Sequence, residues 1–182
     1  MKKGFPFLKS SRLVIKPLEE RHLELFRSLR NDPETSYYLT SVVPINPVKQ
    51  LAWFRGISLD DSRMYFAIES TNHQFLGLVR CDEWDKVNAS IRIGIDIVPD
   101  QRRKGLATEA YHLILQFLFL QLNIHRVWLL VTSYNKAATP LYQKLGFVTE
   151  GKQRDAIFRD NRFHDYIMMS IVKNEYENKK TK

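Results

Sequence analysis

Residues 89–131 constrain the topology of this chain more than any other stretch. Residues 89–98 form an extended run carrying Ile91, Ile93, Ile95 and Ile97. After Gly105, apolar residues recur at Leu106, Ala110, Leu113, Ile114, Phe117 and Leu118, the spacing of one helix face, and residues 126–131 return to an apolar strand pattern. Strand, helix and strand in this order close by a crossover that lays the two strands parallel, so the chain is expected to build a mixed α/β layer around them.

The turn inside this unit carries chemistry. Arg102, Arg103 and Lys104 precede Gly105 at the point where strand becomes helix. A helix N-terminus offers unpaired N–H groups and the positive end of the helix dipole, and a residue without Cβ lets an anion approach the backbone. The turn therefore reads as a phosphate cradle. A solvated basic turn is the plainer reading of the same residues.

The remaining elements follow from local pattern. A strand is expected at 12–16 and a helix at about 20–30, with Leu23, Phe26 and Leu29 on one face and Asn31, Asp32 and Pro33 as its stop. A second helix is expected at 48–57. Strands follow at 65–69 and 75–81 around a turn at 71–73. The long helix is read as 106–122, and a last helix as 136–145 with Gly146 as its cap. Closing strands are read at 147–153 and 163–172, joined around Asp160 and Asn161.

With 182 residues, 44% of them hydrophobic, and no Gly/Ser/Pro-rich linker, the chain is expected to form one domain over 1–182. Its ordered core is expected at about 11–176, with a flexible basic tail at 177–182. The single cysteine, Cys81, excludes an intrachain disulfide and a cysteine metal cluster. The histidines His22, His73, His112, His125 and His164 show no metal-ligand spacing, so no metal is expected. The apolar run at 5–8 is too short for a signal peptide, and that at 113–122 too short for a membrane span. A cytoplasmic location without membrane contact is the expectation. The formal charge of +8 is diffuse and partly in the tail, so no direct nucleic-acid binding is expected.

A second motif gives the cradle a context. Asn135 to Phe147 reads N-x-x-A-x-x-L-Y-x-K-L-G-F, about 30 residues after the R-x-x-G-x-A pattern of Arg102, Gly105 and Ala107. Together they resemble the GNAT superfamily of acyl-CoA-dependent N-acetyltransferases, a resemblance that extends from Leu13 to about Tyr176. It implies the GNAT fold, α/β (α+β), with a mixed, mostly antiparallel seven-stranded sheet, splayed central strands and about four helices. Residues 30–34, 122–127, Gly146 and Phe147 with Glu150 and Gly151, and 165–170 resemble the branch of ribosomal-protein N-terminal acetyltransferases, which bacterial spermidine N-acetyltransferases share.

The resemblance also implies roles. Acetyl-CoA would be the co-substrate, its pantetheine held by backbone groups of Ile97 and Val98. Its pyrophosphate would be held by N–H groups at Arg103, Lys104, Gly105, Leu106, Ala107 and Thr108, with the side chains of Arg102, Arg103 and Lys104 in reach. Arg103 stands where related loops often carry a further glycine. Tyr142 matches the phenol that protonates the departing thiolate. Asn135 would cap the last helix and could also bond to the cofactor. Glu83, beside Asp82, is the candidate base. Relatives often carry a glutamate where this chain has Arg92, which would favour an acceptor bearing carboxylate or phosphate if it faces the cleft.

The acceptor is expected near residues 37–44 with Trp53 and Trp84, an aromatic and nearly uncharged set. It lacks the acidic cluster of spermidine enzymes, so protein N-terminal amines of the ribosomal-protein type lead, followed by amino sugars or other small amines, with spermidine behind. A homodimer is a further expectation. Two other classes stay open: a non-catalytic CoA-binding protein, and a basic protein associated with ribosomes or RNA.

Overall fold

The computed structural model describes residues 8–180; the basic start at 1–3 and residues 181–182 lie outside the described residues. A single open sheet of eight strands runs through the molecule in the order β1-β2-β3-β4-β5-β6-β8-β7. The first part is an antiparallel series of β1 (Leu8–Lys9), β2 (Leu13–Pro17), β3 (Met64–Ser70), β4 (Phe75–Asp85) and β5 (Ser90–Ile97). β6 (Arg126–Thr132) then pairs parallel to β5, as the crossover demands. β7 (Val148–Arg159) and β8 (Arg162–Val172) form a long hairpin whose second strand inserts beside β6. Its two-residue turn, Asp160 and Asn161, has positive φ at both positions, the twist that a tight hairpin prefers.

Strand alternation sends side chains to two cores. Phe66 and Ile68 face the helix α4 (Leu106–Leu120), with Ile91, Ile93, Ile114 and Leu118 in the same cluster. Ala67 and Leu78 face the other way, against Leu23, Phe26 and Leu29 of α1 (Leu23–Asn31), with Trp53 of α3 (Pro47–Ile57) packed alongside. The sheet is thus sandwiched between helices.

The eighth strand goes beyond the seven expected because β1 is two residues long, too short for any periodicity. Two helices were likewise invisible as patterns. α2 (Pro33–Ser36) is one turn, started by Asp32, whose side chain accepts the Thr35 N–H at 2.8 Å, and by Pro33 at its first position. α6 (Lys173–Lys180) is almost wholly polar and is anchored by Tyr176, stacked on Phe119 at a centroid distance of 4.7 Å. The stretch read as a tail at 177–182 therefore falls partly in α6 and partly outside the described residues. α5 (Ala138–Leu145) ends at Gly146, whose φ of 106° lets its N–H and that of Phe147 turn back to the Tyr142 carbonyl at 3.1 and 2.9 Å.

Candidate active site

The basic turn is a tightly held loop. Gly105, with φ 79°, is the N-cap of α4. The first bond of the helix ladder runs from the Glu109 N–H to the Gly105 carbonyl at 3.1 Å, so the N–H groups of Leu106, Ala107 and Thr108 have no partner in that ladder. Arg103 adopts a left-handed φ of 61°, the conformation a glycine would enter freely. From the turn between β1 and β2 Arg12 reaches over, donating to the Lys104 carbonyl at 2.9 Å and to Glu109 at 2.7 Å. Burial would raise the Glu109 carboxyl, but the bonds from Ser10 and Arg12 hold it below its ordinary range.

Of the three cations in the turn, Arg102 is committed within the protein. Its guanidinium donates to the Ile97 carbonyl at 3.0 Å, to Glu34 at 3.3 Å and to the Thr35 hydroxyl, tying the turn to α2. Lys104 donates to the Gln101 side chain at 3.0 Å, and Arg103 and Lys104 both stand exposed.

Beside this loop the sheet comes apart. β5 and β6 pair only at Ser90, Ile91 and Arg92 with Arg126, Val127 and Trp128; beyond that point β6 pairs on with β8 and β5 with β4. The Val98 N–H donates to the Leu76 carbonyl at 3.0 Å, which fixes the phase of the β4–β5 ladder. By alternation, the N–H and C=O groups of Ile93, Ile95 and Ile97 then point to the open side. Ile97 and Val98, singled out together from sequence, are therefore unlike. Val98 spends its N–H on β4, while the Ile97 N–H faces the gap and its carbonyl takes Arg102.

Tyr142 projects from α5 with its ring edge-to-face on Tyr111, centroids 5.6 Å apart. Burial pushes its phenol above the ordinary value; Tyr111 pulls the other way and the Asp96 carboxylate adds to the rise. Asp96 lies on the same face of β5 as Arg92 and Gly94, and its carboxylate is 3.3 Å from the Arg80 Nε. Asn135 accepts the Ala138 N–H at 3.2 Å and so starts α5. Glu83, the candidate base, lies at the joined end of the β5–β6 seam, beside Arg92, which still pairs with Trp128. Glu83 occupies the bulge between Asp82 and Asp85 with φ 53°, is 53% exposed at its side chain, and pairs with Arg92 at 2.8 Å. Asp82 takes the other side of the Arg92 guanidinium, which lies over Trp128, so the expected positive charge of Arg92 is met by two carboxylates.

A cavity of about 380 Å³ opens between α1, α3 and the sheet, lined by aromatic walls from Phe26, Trp53 and Tyr65 and by the cations Arg30, Lys49 and Arg80. Ser41, Val43, Pro44 and Trp53, from the set expected near the acceptor, line it. Tyr37 and Tyr38 instead cluster with Tyr134, and Trp84 lies under Lys86. The 37–40 segment is strapped across to the β7–β8 hairpin: Arg159 donates to the carbonyls of Tyr37, at 3.2 Å, and Leu39, and the Tyr134 hydroxyl donates to Tyr37 at 2.8 Å. Sequence reasoning missed Arg12, Arg30, Arg80 and Asp96. The alternation of isoleucine with Arg92, Gly94 and Asp96 along β5 was the available signal for the last of these. Among the described residues no group of His, Cys, Asp or Glu is gathered to hold a metal, and no helix is long and apolar enough to cross a membrane.

Comparison with known proteins gives this geometry a family. The acetyltransferase (GNAT) domain matches residues 12–148. A spermidine N(1)-acetyltransferase of Vibrio cholerae is 28% identical over 172 residues, covering 93% of this chain and 98% of that protein. A Bacillus subtilis protein provisionally named a ribosomal N-acetyltransferase, YdaF, is 29% identical over 104 residues, 57% of each chain. A crystal structure of spermidine N-acetyltransferase from Vibrio cholerae in complex with CoA and spermine superposes with a TM-score of 0.88 at 27% identity, covering 93% of this chain and all of that one. The chain belongs to the GNAT acetyltransferases, and it is an acetyl-CoA-dependent N-acetyltransferase.

Proposed function

We propose that the chain transfers the acetyl group to a small primary amine by direct attack in a ternary complex, with acetyl-CoA in the β5–β6 gap and the amine in the α1–α3 cavity. The observation that carries this reading is the alignment of three features: a helix N-terminus, an unpaired strand edge, and a phenol. The pyrophosphate would take the N–H groups at the start of α4, where the helix dipole favours an anion. Pantetheine would pair with the open edge of β5, and an N–H there, such as that of Ile97, would polarise the thioester carbonyl.

In the step itself the amine nitrogen forms a bond to the thioester carbon and the carbon–sulfur bond breaks, its electron pair leaving on sulfur. The Tyr142 phenol gives its proton to that thiolate and is reprotonated from water. The amine proton passes to Glu83 through water, the ion pair with Arg92 fixing the orientation of the carboxylate.

The names of the relatives point to a polyamine, but the cations lining the cavity oppose an acceptor that is itself a polycation. A small amine is favoured by the size of the cavity, which is in the range for small-molecule sites. Protein N-terminal amines, the leading expectation from sequence, become the second reading, favoured by the match to YdaF. A homodimer would use the exposed edge of β7. Thiol release from acetyl-CoA across small amines, N-terminal peptides and polyamines tests the assignment. Release with a small amine, lost in Tyr142→Phe, supports it; release only with polyamines or peptides replaces the acceptor.

A further inference from the structure

We infer that the acceptor amine carries an anionic group, a carboxylate or a phosphate, that docks between Arg30 and Arg80 in the α1–α3 cavity. This rests on the acetyl-transfer reading above and names the class of acceptor that it uses. The cavity wall holds three cations, Arg30, Lys49 and Arg80, and no carboxylate. Arg80 has Asp96 beside it, at 3.3 Å, but among the described residues no carboxylate stands within ion-pair distance of Arg30. Gln50, also in the wall and only 3% exposed, has its side-chain amide nitrogen without an acceptor. Donors thus converge on a half-enclosed space whose lining supplies no carboxylate.

Such an arrangement is costly when empty of an anion. Arg80 is met by Asp96, but Arg30, drawn out of water beside Arg80 with no carboxylate of its own, is disfavoured as a cation, and an unmet buried amide adds to the cost. The direction of the effect is visible at Arg30, which burial and the charge of Arg80 pull below its ordinary value. An oxyanion between them would accept from both forks and from Gln50, the geometry in which arginine recognises carboxylate and phosphate best. The aromatic walls, Phe26, Trp53 and Tyr65, would take the carbon skeleton. Arg80 also lies over Gly94 of β5 and beside Asp96, which interacts with Tyr142, so an anion held at Arg80 would set its amine toward the gap where the thioester lies.

The test is thiol release from acetyl-CoA with matched acceptors: an aminocarboxylate against its methyl ester, an aminoalkyl phosphate against the parent amino alcohol, and spermidine. The anionic member of at least one pair should have a kcat/KM on the order of 10- to 100-fold above its neutral partner, as expected for a hydrogen bond between charged groups. Which pair shows it distinguishes carboxylate from phosphate. Arg30→Gln should remove most of that preference through KM while the affinity for CoA stays at the parent value; Lys49→Gln, on the exposed rim, provides a second variant if Arg30→Gln does not fold. Equal rates within both pairs, or preference for spermidine, would overturn the proposal. If no amine is turned over, the transfer reading fails separately, and the anion site is read from melting in the presence of CoA. Stabilisation by the anionic amines but not their neutral partners, lost in Arg30→Gln, supports the site, and no difference overturns it.

Discussion

The guanidinium of Arg80 lies across Gly94 so closely that a Cβ at position 94 would stand 2.5 Å from its Nη2. The two residues are register partners on β4 and β5, so the glycine makes room on the cavity face of the sheet for a charged side chain. In Gly94→Ala the guanidinium must swing away. The expected result is a rise in the KM for the acceptor of about 10-fold, the loss of one charged hydrogen bond, with the affinity for CoA unchanged. Steady-state kinetics with a calorimetric CoA titration reads both.

Tyr142→Phe should lower kcat by about 10² to 10⁴, the usual span for a positioned acid, with CoA still bound. Because burial raises the phenol, the acid form persists above the ordinary value of about 10. The rate should therefore show no fall from loss of this acid between neutrality and that pH. An alkaline limb setting in near pH 8 and absent from Tyr142→Phe would contradict the assignment.

Arg102 and Lys104 should separate in stability. Arg102 bridges the Ile97 carbonyl and the Thr35 hydroxyl, whereas the exposed Lys104 reaches the neighbouring Gln101 side chain. Denaturant unfolding should show Arg102→Gln less stable by about 1–3 kcal/mol and Lys104→Gln within about 0.5 kcal/mol of the parent.

That contrast marks how far the sequence could be read. The glycine, the helix start and the helix carrying Tyr142 were legible because each depends on neighbours within a turn or two. The commitment of Arg102 to α2 was not, since it joins positions 67 apart along the chain. The cluster of Arg30, Arg80 and Asp96 was equally hidden: one lies near the end of a helix and two on strands, and it takes the β4–β5 register and the packing of α1 on β4 to bring them together. Arg92 was recognised as unusual, but its two carboxylate partners needed the bulge at Glu83 to meet it.

Glu69 provides a test of pH dependence. It is 1% exposed and bonded to Lys16 at 2.5 Å and His22 at 2.9 Å. Burial alone would raise its carboxyl, but the bonds from Lys16 and His22 and the charges of Lys16 and Arg21 hold it at about 2, below the reference 4.5. A folded value below the unfolded one means that the stabilisation is present above about pH 4.5 and is lost as pH falls toward 2. That linkage is worth on the order of 3 kcal/mol. Urea midpoints between pH 6 and pH 2 should fall steeply in the parent and less in Glu69→Gln, which should start lower.

Cys81 is fully buried and burial pushes its thiol well up, so the native protein should give no reaction with an aromatic disulfide reagent and one thiol after unfolding in guanidinium. Reaction of the native protein would place Cys81 nearer the surface, and its absence leaves the released coenzyme as the sole thiol in the activity assay.

The gap between β5 and β6 has a mechanical side. Backbone pairing joins the two halves of the sheet through three residue pairs at one end, and the rest of the seam is unstitched. On the proposed binding mode the donor laces that seam along Ile93, Ile95 and Ile97, acting for the length of its stay as a borrowed strand. Each catalytic cycle then stiffens the molecule when the donor enters and loosens it when the thiol departs. Cohesion of the sheet becomes a quantity that rises and falls with turnover.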